Sequence, residues 1–263
     1  MTISNSGSVT TEPRVRAAIA QAASRTGVDF DYLYNQARIE SSLDPEARAR
    51  TSSAAGLYQF TKQTWLQVVK NHGAEHGLGW AAEAIDKSGA GYSVADASMR
   101  TAIDNLRYDP ELASTMAGEF AADNRDKLEG SLGRAAEPVD LYLAHFLGAK
   151  GATDFLAAHD ADPSMAAAPL FPAAAAANRS IFYASNGSPR SLGEIRNNFA
   201  AKLGGSTPGA PSMTTVSWTE ARRNVSEATT RTPLQMASID AMPQQLSVEF
   251  ASRAYQRLAG LGQ

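Results

Sequence analysis

A carboxylate that continues an apolar stripe is the first candidate for chemistry in this chain. Glu40 follows Leu33 by seven residues and Ala37 by three, so on a helix it shares their face. A carboxyl placed there gives up part of its hydration. Desolvation disfavours the charged form of a carboxyl, which suits a general acid working near neutral pH. A glutamate near a helix C-terminus is also often a plain solvated or hydrogen-bonded residue, and periodicity alone leaves both readings open.

The remaining reactive residue types exclude more than they offer. Cysteine is absent from the 263 residues, which removes disulfides, thiolate catalysis and cysteine-ligated zinc together. His72 and His76 are four apart, but Gly73 and Gly77 argue against the rigid helix that a metal-binding pair needs, and His159 stands alone. No metal and no cofactor is expected on this pattern. The net charge of -3, with no Lys/Arg block, lacks the footprint of a nucleic-acid binder.

A longer string gives Glu40 a context. Arg38-Ile39-Glu40-Ser41-Ser42-Leu43-Asp44-Pro45 is followed, after a Ser/Ala loop, by Gly56-Leu57-Tyr58-Gln59-Phe60. This resembles the soluble-lytic-transglycosylase (SLT) type of domain, a relative of goose-type lysozyme with the hallmarks Glu-Ser, Gly-Leu-Met-Gln and Ala-Tyr-Asn-Ala-Gly. Glu40-Ser41 fits the first hallmark, and Gly56–Gln59 fits the second with Tyr58 where Met is commoner. Ala144-His145-Phe146-Leu147-Gly148 keeps only the outer Ala and Gly of the third. His145 stands where the family has Tyr and Phe146 where it has Asn, and a histidine can still donate a hydrogen bond and stack.

The resemblance covers residues 11 to about 160 and implies an all-α, lysozyme-like domain with a glycan cleft. It implies a lytic transglycosylase in which Glu40 protonates the glycosidic oxygen and then takes a proton from the C6 hydroxyl of N-acetylmuramic acid, closing a 1,6-anhydro ring. Gln59 would hydrogen-bond the sugar, the Ser52 hydroxyl would assist, and Gly56 would let the backbone approach the glycan. Tyr58, His145 and Phe146 would offer surface to pyranose rings. Ser41 reads as a local backbone partner at the helix end. A hydrolytic muramidase of the same fold would need a second carboxylate or a held water; Asp44 and Glu46 are the nearby candidates, and Asp44 before Pro45 already has a turn-forming role. A non-catalytic wall-binding module is the alternative from another class.

The elements that must position these residues read as helices throughout. Pro13 suits the first turn of a helix running to about Ser24, Asp29 caps the helix that carries Glu40, and Thr61 caps the next, to about Lys70. Further helices are expected over 94–106, 109–129, 137–147 and 151–159, and Ser191 with Glu194 has capping-box spacing ahead of a short one. No alternating strand pattern of useful length appears.

The resemblance implies a lysozyme-like domain at 11–185, and composition and periodicity set around it a disordered lead-in at 1–10, a short helix at 186–203, a flexible Gly/Ser/Thr/Pro-rich linker at 204–247 and an amphipathic helix at 248–263. The last offers a possible contact for a flagellar, secretion or phage assembly partner. The substrate implies the periplasm or cell envelope, although the first residues lack the positive and apolar regions of a secretory signal and no stretch reaches the length of a membrane span.

Overall fold

The computed structural model describes residues 8–204 except Thr51 and Ala90. The expected linker and C-terminal helix, and residues 1–7 of the lead-in, lie outside the described residues.

Helix α1 (Ser8–Thr26) begins before Pro13, which therefore stands inside the helix instead of in its first turn. Proline removes only its own N–H, and this early in the helix it interrupts one bond while the next turns continue. Val15, Ala18, Ile19 and Ala22 form the buried face of α1. Helix α2 (Phe30–Ser41) starts where the Asp29 carboxylate accepts the Tyr32 amide at 2.9 Å, as the capping pattern predicts. Thr61 caps α3 (Lys62–His72) through the Thr64 amide at 3.3 Å.

Between residues 73 and 93 the chain does what periodicity does not announce. A 3-10 turn (Gly73–His76) leads into α4 (Gly79–Ala84) and a two-stranded antiparallel hairpin of β1 (Asp86–Ser88) and β2 (Gly91–Ser93). Strands of three residues are too short for an alternating signal. Helix α5 (Ala97–Asn105) follows, with Asp96 as its cap, and a 3-10 turn (Leu106–Tyr108) leads to α6 (Pro110–Leu132), where Asp109 accepts the amides of Glu111 and Leu112. Proline at the first helical position has the fixed φ that a helix start requires.

Helix α6 is the hub of the packing and touches α1, α2, α3 and α7 (Pro138–Ala161). Gly148 divides α7 with a left-handed, non-helical backbone (φ 76, ψ 161), so two helical runs meet at a kink, in accord with the separate helices read on either side of it. Short helices α8 (Ala167–Leu170), α9 (Pro172–Ala177) and α10 (Arg179–Phe182) carry the Ala/Pro-rich segment. Helix α11 (Leu192–Leu203) closes the described body, with the Ser191 hydroxyl accepting the Glu194 amide and the Glu194 carboxylate accepting the Ser191 amide.

One hydrophobic cluster runs from Val15 to Leu203. Leu192, Ile195, Phe199 and Leu203 of α11 belong to it, and Phe199 meets Tyr142 and Phe146 edge-on at 5.2 and 5.3 Å. Helix α11, beyond the expected boundary at residue 185, packs its apolar face on α7 and α2 within this same cluster. No helix among the described residues is long and apolar enough to cross a membrane.

Candidate active site

The stripe on α2 places Glu40 where the sequence expects it. The residue is 3% exposed, one turn below the buried Gln36 and Ala37. Immediately after it the backbone turns left-handed twice, at Ser42 (φ 58) and Leu43 (φ 65), with the Ser42 amide donating to Arg38 at 3.0 Å. This is a helix-ending turn made without glycine. Gln59 (φ 48) is the third non-glycine residue with positive φ among the described residues, and it lies in the second motif. Such backbone costs on the order of 1–3 kcal/mol at each position and collects where surrounding structure over-determines it, commonly at functional sites.

Ser41 joins the two motifs. Its hydroxyl oxygen lies 3.1 Å from the Ala37 carbonyl within the helix and 2.8 Å from the Leu57 carbonyl across the site. The local backbone partner was legible; the second one fastens the end of α2 to the loop.

That loop is held from inside. The Gly56 amide donates to the Ala47 carbonyl at 2.8 Å, and the Gln59 side-chain amide donates to Ala47 at 3.1 Å and to Gly56 at 2.9 Å. Gln59 is buried, both its amide hydrogens are spent on the loop backbone, and its carbonyl oxygen is the remaining polar end. Its observed part is to set the loop's shape. Gly56 (φ 77) is required for a reason the sequence did not supply: a Cβ there would fall on the carbonyl oxygen of Arg107. The close backbone approach expected of Gly56 is thus made by the protein's own chain.

Arg107 is the residue that sequence reasoning missed. It is 4% exposed, and its guanidinium donates to the carbonyls of Ser53 at 2.7 Å, Phe60 at 3.1 Å and Asp104 at 3.1 Å, beside the Asp104 carboxylate at 3.3 Å. Burial draws its basicity down, against the opposing effect of Asp104. The five donors of a guanidinium allow one side chain to hold the Ser53 and Phe60 carbonyls of the loop while it also bonds the Asp104 carbonyl at the end of α5. No local signal marks its part in the loop, since Ser53 and Phe60 lie 54 and 47 residues away in sequence.

The third motif reaches Glu40 through His145. His145 Nε2 stands 3.2 Å from Glu40 Oε1, and its Nδ1 stands 3.2 Å from the Gln36 side-chain nitrogen. With the Gln36 amide donating, Nδ1 accepts, which leaves Nε2 as the ring nitrogen on the side of the carboxylate. Gln36, one turn before Glu40 on α2, was not anticipated in this role. Tyr32 and Tyr142 complete the surroundings: burial pushes both phenols well above their ordinary range, and the nearby Glu40 charge pushes in the same direction.

The other expected residues are placed differently. Tyr58 is 1% exposed and packed in the core facing Ser114, so its ring offers no open face to a sugar; burial raises its phenol. Phe146 packs against Phe199 and more distantly Phe182, in the aromatic layer between α7, α10 and α11. The Ser52 hydroxyl accepts the Ala54 amide at 3.3 Å, a turn inside the loop. Asp44 accepts the Glu46 amide at 2.9 Å, the turn role its position before Pro45 suggests. A cavity of about 220 Å³ is lined by Lys62, Gln63, Tyr92, Ser93, Arg100 and Asp104, and none of the expected site residues lines it.

Residues 17–78 match the family model of the transglycosylase SLT domain. The matched segment holds Glu40, Ser52 and the Gly56–Gln59 motif and stops short of His145. The resemblance read from Glu40-Ser41 and Gly56–Gln59 is therefore borne out over this segment, which is similar to the transglycosylase SLT domain, a lysozyme-like helical family associated with peptidoglycan.

Proposed function

We propose that this protein is a peptidoglycan lytic transglycosylase that cleaves the β-1,4 bond between N-acetylmuramic acid and N-acetylglucosamine without water. The observation that carries the reading is the Glu40 carboxyl, 3% exposed and backed by His145 Nε2 at 3.2 Å, inside the segment matched by the SLT family. Glu40 donates its proton to the glycosidic oxygen as the bond to C1 breaks, leaving a carboxylate that the Nε2 hydrogen of His145 can meet. The same carboxylate then takes the C6 hydroxyl proton while O6 bonds to C1, so the proton lost in the first step is recovered in the second. Because the nucleophile is tethered to the sugar, proximity replaces a water-positioning carboxylate. The engagement of Asp44 in its own turn favours this route over hydrolysis with a second acid.

Gln59 and Arg107 act here as positioning residues for the loop facing Glu40. The burial of Glu40 requires side chains around it to part when a glycan strand binds. The substrate assigns the protein to the periplasm or cell envelope, and residues 205–263 are the segment proposed to meet an envelope assembly.

Replacing Glu40 with Gln keeps shape and removes the transferable proton. Lysis of purified peptidoglycan by E40Q should fall below about a thousandth of the parent rate while the circular dichroism stays helical. Mass spectrometry of the parent's products should find 1,6-anhydromuramic ends. Undiminished lysis by E40Q would remove Glu40 from the mechanism, and reducing ends alone would make the enzyme a hydrolase.

A further inference from the structure

At the end of α3 the chain tightens into the 3-10 turn Gly73–His76 and closes on left-handed Gly77 (φ 78). This brings two histidines against α6. His72 Nε2 lies 3.0 Å from Asp123 Oδ2 and its Nδ1 3.5 Å from Glu119 Oε2, while His76 Nε2 lies 2.7 Å from Glu119 Oε1. Glu119 and Asp123 are one helical turn apart and share a face of α6. Glu75 adds a third carboxylate: one ligand atom each of His72, Glu75 and Glu119 fall within 4.8 Å of one another. The side chains of His72, His76, Glu119 and Asp123 are 13–31% exposed, shielded yet reachable from one side.

We propose that His72, Glu75 and Glu119, with His76 completing the set and Asp123 holding the other ring nitrogen of His72, form a binding site for a divalent transition cation of the zinc class that joins the end of α3 to α6. Imidazole nitrogen selects such cations over calcium and magnesium, which take oxygen donors. Bonds of about 2.0–2.2 Å in a tetrahedral site set neighbouring donors about 3.4 Å apart; Glu119 lies 3.5 Å from His72 Nδ1 and 2.7 Å from His76 Nε2, and the ligand atoms of His72, Glu75 and Glu119, within 4.8 Å of one another, would draw together on an ion. Charge favours the same occupant. Three carboxylates outnumber the two imidazoles even when both rings are protonated, and a bound cation releases those protons as it takes their place. Sequence spacing argued against the pair because the glycines break the helix. In the fold that break turns His76 toward Glu119, and α6 supplies the acidic ligands that the local sequence lacks.

The site is separate from Glu40, and its test does not read lysis. The full chain, stripped with a chelator, is titrated with zinc chloride by calorimetry and followed by thermal unfolding. One zinc ion per chain and a saturable rise in Tm are expected, with no such rise for calcium or magnesium at equal concentration. His72→Ala and Glu119→Gln should each weaken zinc binding at least about tenfold, with zinc-free circular dichroism unchanged. If a variant loses its helical signal, His76→Gln replaces it in the comparison. Absence of saturable zinc binding by the parent chain, or binding undiminished in the folded variants, overturns the proposal.

Discussion

Glu40 and His145 meet because an apolar stripe on α2 and a departure from the family pattern on α7 face the same point. His145 Nε2 lies 3.2 Å from the buried Glu40 carboxyl, where a charge-assisted hydrogen bond formed during the reaction contributes about 1.5–3 kcal/mol. If that bond strengthens as Glu40 gives up its proton, its loss falls on the chemical step. His145→Ala should then lower kcat by roughly tenfold to a hundredfold with KM little altered, measured on soluble glycan strands. A rise in KM alone would instead assign the ring to substrate binding. Gln36 orients the ring from the other side, so Glu40 and the residue that orients its partner sit one helical turn apart on α2. Neither Gln36 nor its contact could be read from motif spacing, because the two partners are 109 residues apart.

At the scale of elements, helix starts were legible and their couplings were not. Asp29, Thr61, Asp109 and Ser191 cap the helices that follow them through amides two or three residues away, so short windows of sequence carry the whole interaction. The bracing between helices is of another kind. Asp140 of α7 is fully buried and accepts Arg134 at 2.7 Å and Arg196 of α11 at 2.9 Å, while Arg196 also reaches Glu137 at 2.7 Å. The paired carboxylates hold both guanidinium groups in their charged form, against the effect of burial. Asp140→Asn would leave two arginines facing a neutral amide, and the stability lost should be about 3 kcal/mol, read as a lower denaturant midpoint at unchanged slope. A change within 0.5 kcal/mol would mean that solvent compensates both cations.

At the scale of the molecule, one continuous core makes the helical body end with α11. A chain ending at residue 185 loses four buried apolar side chains from Leu192 to Leu203, each worth about 1.5–3 kcal/mol as an upper estimate. Its Tm should fall by on the order of 10 °C or more relative to a chain ending at residue 204. Equal melting temperatures for the two truncations would return the boundary to residue 185. The sequence reading kept the Ala/Pro-rich segment inside the domain, and the short helices α8 to α10 there form an ordered connection to α11 whose Ala175, Ile181 and Phe182 are buried.

The sequence by itself determined the helical class, most helix starts, the candidacy of Glu40 and the SLT identity of the segment around it. The class, the helix starts and the placing of Glu40 rest on periodicity and on contacts between near neighbours, which a linear string preserves, and the likeness to the SLT domain rests on the Glu40-Ser41 and Gly56–Gln59 motifs. Only the tertiary structure decided that His145 addresses Glu40 and Gln36 the ring of His145, that Arg107 clamps the loop, that Gly56 answers to a carbonyl of the same chain, and that His72 and His76 face acids on α6. Each of these depends on groups far apart along the chain but a few ångströms apart in space, a proximity created by packing helices against α6.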